Sequence, residues 1–114
     1  RMGEVYAAEF AWSPAVGWQT LADAAVLPPE ALAAPPAGTL LAGNVPAVYD
    51  NRLPDAVRAL PRADVLPTAD ALLTLAPALL AAGRAVPAEQ ALPLYIRDKV
   101  AQTTTERSAA GLAR

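Results

Sequence analysis

The sequence predicts a small α/β domain, and three observations carry that prediction. Residues 3–12 alternate with the period of a strand, and residues 68–82 repeat leucine with the period of a helix. Twelve prolines and six glycines cut the remaining apolar runs into short pieces. At 114 residues the chain fits one domain with a single modest core. Apolar residues make up 54% of it, but much of that is alanine and 5% of the chain is aromatic, so the core must rest on Leu, Val and a few rings.

Along the first strand Tyr6, Ala8, Phe10 and Trp12 fall on one side and Val5, Ala7, Glu9 and Ala11 on the other. The ring-bearing side is expected to be the buried one, in which case Phe10→Ala costs about 3–5 kcal/mol. Ser13-Pro14-Ala15-Val16-Gly17 has the turn chemistry to reverse the chain, and Trp18 to Val26 is expected to return as an antiparallel partner. Trp12 and Trp18 are then expected to pack under this hairpin rather than to form a stacking platform, which would want surrounding basic charge.

Pro28 and Pro29 followed by Glu30 suit the first turn of a short helix that Pro35 ends. Thr39 to Ala42 reads as an interior strand ending at Gly43-Asn44, Leu53 to Leu60 as a brief helix, and Ala63 to Leu66 as a short strand. The longest helix is expected from about Thr68 to Ala82, with Leu72, Leu75 and Leu79 facing the sheet and Gly83 at the C-terminal cap. Pro77 interrupts it, losing the bond to the Leu73 carbonyl at about 3 kcal/mol relative to alanine, so either a kink or a wet outer face is expected there. Leu92 to Arg97 reads as a final strand, with Leu94 and Ile96 on one side and Tyr95 and Arg97 on the other. Residues 102–114 have no apolar stripe and read as a flexible tail, leaving a domain of residues 1–101.

The residue inventory narrows the chemistry. The chain has no cysteine and no histidine, which removes disulfides, thiolates, imidazole bases and nearly every transition-metal site. With nine basic and eleven acidic residues, net charge −2, it has no general attraction for a polyanion, so direct binding of nucleic acid is not expected. Prolines break its apolar stretches well short of the ~18–20 residues that span a bilayer, and no leader pattern opens it, so a cytoplasmic location away from membranes is expected. Ser13 and Ser108 lack a nucleophile elbow, and no two carboxylates fall in a context that suggests pairing. Gly43-Asn44 is followed by Val45 and Pro46, which suits a tight turn better than a phosphate cradle. No catalytic, cofactor-binding or metal-binding residue is therefore assigned. Tyr95 and Arg97, in the densest mixture of ring, apolar and charged side chains, are the candidate partner-binding residues, set against the plainer reading of a solvated edge.

Two short motifs add a resemblance. Arg1-Met2-Gly3-Glu4-Val5-Tyr6 resembles the D-A-R-M-G-E-V-Y segment of the bacterial TsaB (YeaZ) family, and Leu92 to Ala101 resembles the P-x-Y-I/L-R segment near the end of those proteins. The likeness extends over the C-terminal half of a family member; the strand-rich N-terminal lobe has no counterpart here, so the sequence reads as a domain fragment. The resemblance implies the C-terminal lobe of an actin-like, ribonuclease H-like fold: a small mixed sheet with packed helices. It also implies a non-catalytic scaffold role in making the threonylcarbamoyl modification of adenosine next to the tRNA anticodon. The partners would be the metal-bearing catalytic subunit TsaD and the ATPase TsaE, reached through the full-length protein, whose N-terminal lobe makes the main helical contact with TsaD. Relatives often carry a second glycine in the loop after Gly43, and its absence here is a departure from their pattern. Two readings compete with the scaffold: a peptidase of the M22 glycoprotease type, as older family labels have it, and an unrelated ligand-binding α/β domain with a well-formed pocket.

Overall fold

The structure, a computed structural model, describes residues 3–97. The expected tail at 102–114 and the end of the second motif, from Asp98 on, lie outside the described residues. Within them the class is mixed α/β, with strands gathered into two separate two-stranded sheets.

Strand β1 (Val5–Ser13) and strand β2 (Gly17–Leu27) form an antiparallel hairpin in which Trp12 stands opposite Trp18 and Phe10 opposite Thr20. A three-residue loop joins them. The Ser13 hydroxyl accepts the Val16 N–H at 3.3 Å, and Gly17 closes the loop at φ +78, the left-handed conformation this turn requires. The pairing slips twice between Ala7 and Phe10, each time with the extra residue on β2.

The hairpin is where sequence and structure part most clearly. Val5 is buried and Ala7, Glu9 and Ala11 are half-covered, whereas Tyr6, Phe10 and Trp12 are exposed, so the ring-bearing face points outward and the expected register is reversed. The reason is physical: both faces of β1 are apolar enough to be buried, and the choice falls to whichever meets the rest of the molecule. Here the face carrying Val5 does so. Trp12 and Trp18, expected under the hairpin, pair with each other on its outer side.

After β2 a single 3-10 turn at Pro29–Ala31 replaces the expected short helix. Strand β3 (Leu41–Ala42) then runs parallel to strand β4 (Arg62–Ala63), secured by Leu41 N–H to the Pro61 carbonyl at 2.9 Å and Gly43 N–H to the Ala63 carbonyl at 3.0 Å. Between them lie helix α1 (Val45–Tyr49), a 3-10 turn at Asp50–Arg52, and helix α2 (Asp55–Arg58). Among the described residues the fully covered side chains are Val5, Pro29, Leu53 and Val57, so the core sits where the start of β1 meets this loop-rich body.

Helix α3 (Ala69–Ala81) matches its predicted span. The Thr68 hydroxyl caps it by accepting the Ala71 N–H at 3.2 Å. At the other end Gly83 N–H meets the Leu80 carbonyl and Arg84 N–H the Leu79 carbonyl, each at 3.0 Å, the paired bonds of a Schellman cap around Gly83 at φ +71. The helix continues through Pro77, whose face it shares with Leu73, one turn earlier and exposed, so the orphaned Leu73 carbonyl lies on the wet side. The expected burial against a sheet is not formed among the described residues: α3 buries no residue, although Leu75, Ala76 and Leu79 are its better-covered positions. The expected last strand is likewise not formed. Beyond a 3-10 turn at Ala88–Gln90 the chain from Leu92 to Arg97 forms no strand, and Pro93 has no N–H to offer a ladder. No helix among the described residues is long and apolar enough to cross a membrane.

Candidate partner-binding surface

The two motifs at the ends of the chain meet in space. Arg97 Nη2 donates to Glu4 Oε2 at 2.5 Å, a link between residues 93 positions apart, and the same guanidinium lies 6.0 Å from the centre of the Tyr6 ring. The Arg97 side chain is 16% exposed and that of Glu4 39%, so the clasp is half-sheltered on its arginine side. Gly3, at φ +72, precedes it; a Cβ there would stand 3.3 Å from Arg52 Nη1. Glycine at that point lets the first strand start close against the loop body.

A second set of charges holds that body together. Arg52 grips Glu30 through two bonds, Nε to Oε1 at 2.5 Å and Nη2 to Oε2 at 2.9 Å, while its guanidinium lies 5.4 Å from the Tyr49 ring centre. The hydrogen bond from Arg52 holds the Glu30 carboxyl below its ordinary range, and the reciprocal bond raises Arg52. Arg62 pairs with Asp50 at 2.7 Å and donates to the Arg58 carbonyl at 2.9 Å, and Arg58 in turn pairs with Asp55.

Beside the clasp is a groove of about 390 Å³ lined by Glu4, Tyr6 and Arg97 together with Asn44, Val48 and Tyr49. Glu4 and Arg97 pair with each other in its lining, which otherwise offers an amide, two phenols and aliphatic surface. Such a lining suits packing and hydrogen bonding. Among the described residues no cluster of carboxylates is placed to hold a metal ion.

Of the two candidate partner-binding residues, the structure turns Arg97 inward to Glu4 and Tyr6 and leaves Tyr95 82% exposed two positions earlier. Sequence reasoning missed Glu4 and Tyr6 as partners of Arg97, because nothing local signals a pair so far apart; the membership of all three in the two motifs was the available clue. Ser13 serves the hairpin turn, its hydroxyl accepting the Val16 N–H. Gly43, at φ +131, and Asn44 lead directly into α1 without a side-chain cap.

Among solved structures, the chain is similar to an uncharacterized protein from Pseudomonas aeruginosa described as having similarity to peptidase YEAZ. The identity is 38% and the TM-score 0.71, over 85% of this chain and 45% of that one. It is also similar to YeaZ from Pseudomonas aeruginosa, at 37% identity and a TM-score of 0.70, over 83% of this chain and 45% of that one. The chain thus spans somewhat less than half the length of these relatives. No protein-family model and no curated protein matches it.

Proposed function

Because the chain belongs to the TsaB (YeaZ) family as a C-terminal domain with that family's actin-like fold, we propose that it is a non-catalytic partner domain. Its setting would be the threonylcarbamoylation of adenosine next to the tRNA anticodon. The observation that carries the reading is 38% identity over 85% of the chain, together with the spatial meeting of the two motifs through Glu4 and Arg97. In this role the domain supports the catalytic subunit TsaD, with TsaE as a further partner, both reached through the full-length protein. The absence of histidine and cysteine from the sequence, and the pairing of the Glu4 carboxylate in the groove with Arg97, favour a scaffold over a peptidase.

The reading is tested by calorimetry of the chain against TsaD, with full-length Pseudomonas aeruginosa YeaZ as the reference, alongside a threonylcarbamoyl-transfer assay and a peptidase assay with and without chelator. The expected outcome is neither transfer nor peptide hydrolysis by the chain, and binding to TsaD far weaker than the reference. Chelator-sensitive hydrolysis would replace the scaffold reading with the peptidase one. Binding as tight as the reference would move the main interface into this domain, with Tyr95 and Arg97 the first residues to alter.

A further inference from the structure

One face of the hairpin is aromatic and open. Tyr6, Phe10 and Trp12 alternate along β1 and Trp18 faces Trp12 from β2, each ring between 57% and 62% exposed. Their register partners on that face, Val26 opposite Tyr6 and Thr20 opposite Phe10, are uncharged. Four neighbouring rings exceed the scattered apolar residues that a free surface carries, and a two-stranded hairpin with one face open to water is only marginally stable by itself. We propose that this aromatic face is the seat of the other half of a YeaZ-type chain, the portion of the relatives that lies outside the matched span.

Three observations select that occupant. Each Pseudomonas structure has 45% of its length matched by this chain, so each carries more chain outside the match than within it. The other side of β1 is already engaged, since Val5 is buried, leaving the ring side as the one without cover. And apart from Arg97, paired with Glu4 beside the Tyr6 ring, the rings face uncharged register partners in a chain of net charge −2, which suits an apolar protein surface and disfavours a polyanion stacked on the rings. The inference rests on family membership and is independent of any partnership with TsaD.

Trp12 and Trp18 are the two tryptophans of the chain, so their fluorescence reports on this face directly. The test compares the chain alone with the same chain fused to, and separately co-refolded with, the part of Pseudomonas aeruginosa YeaZ outside the match, that part having its own tryptophans replaced by phenylalanine. Alone, the emission is expected at the long wavelength of hydrated indole and strongly quenched by acrylamide. With the other half present the emission should shift to the blue and quenching drop severalfold. Phe10→Arg, on an exposed ring, should leave the lone chain folded by circular dichroism yet abolish the protection. Tryptophans that stay quenchable in both the fusion and the co-refolded mixture overturn the proposal, as does protection that survives Phe10→Arg. Protection of the lone chain that rises with its concentration, together with a dimer in sedimentation, would give the face to a second copy instead.

Discussion

Arg97 lies within the second motif yet makes its bonds with the first, and this pairing shows how much a single residue's surroundings decide. Because Glu4 keeps 39% of its side-chain surface in water, the clasp is screened, and a double-mutant cycle on Glu4→Gln and Arg97→Gln should give a coupling of about 0.5–1 kcal/mol that shrinks with salt. A coupling unaffected by salt would mean a tighter, drier pair than this geometry provides. Side-chain packing divides just as sharply. Leu53 is buried, so Leu53→Ala should cost about 2–4 kcal/mol in urea denaturation, whereas Phe10→Ala in the isolated chain should stay within about 1 kcal/mol because its ring is exposed. That replaces the 3–5 kcal/mol expected from the strand pattern. The alternation identified two faces correctly, but ring size could not say which one meets the core.

At the scale of elements, legibility followed how local the cause was. Helix α3 was readable because Thr68, the leucine spacing and Gly83 fix its start, body and end within a few residues. The hairpin turn was readable for the same reason, from Ser13 through Gly17. Gly17→Ala should therefore cost about 1–2 kcal/mol through its left-handed backbone alone, there being no neighbour for the new methyl to strike. Unchanged thermal stability would show that the turn relaxes into another type. The short strands β3 and β4 and the unformed strand at Leu92–Arg97 were less legible, since ladder bonds depend on an available edge rather than on composition. Pro77 adds a separate test. With the helix continuous through it and the Leu73 side wet, Pro77→Ala restores one donor and should raise helicity by circular dichroism and leave stability equal or higher. A loss would mean that the ring of Pro77 packs in a way the exposed helix surface does not indicate.

For the molecule as a whole, the α/β class was legible and its layering was not. The Cα radius of gyration is 17.8 Å, against roughly 13 Å for a compact domain of about this size, and the four buried side chains among the described residues make a small core. Ion pairs between distant segments therefore bear more of the tertiary structure than they would in a well-packed domain. Among them the Glu30–Arg52 grip joins the turn after β2 to the body around α2. Arg52 lowers the folded-state Glu30 carboxyl from its ordinary 4.5, so the unfolded chain takes up this proton more readily than the folded one as the solution is acidified. The stabilisation is accordingly complete above the ordinary glutamate value and disappears as pH falls through the lower folded value. Raising Arg52, already a strong base, adds nothing in the acid range. Urea midpoints measured from pH 7 down to about pH 3 should thus fall less steeply for Glu30→Gln than for the parent chain, with the two curves apart near neutrality and drawing together in acid. Parallel curves across that range would mean that the grip seen at Glu30 contributes nothing to folding, and that solvent screening of this exposed pair outweighs its two-bond geometry.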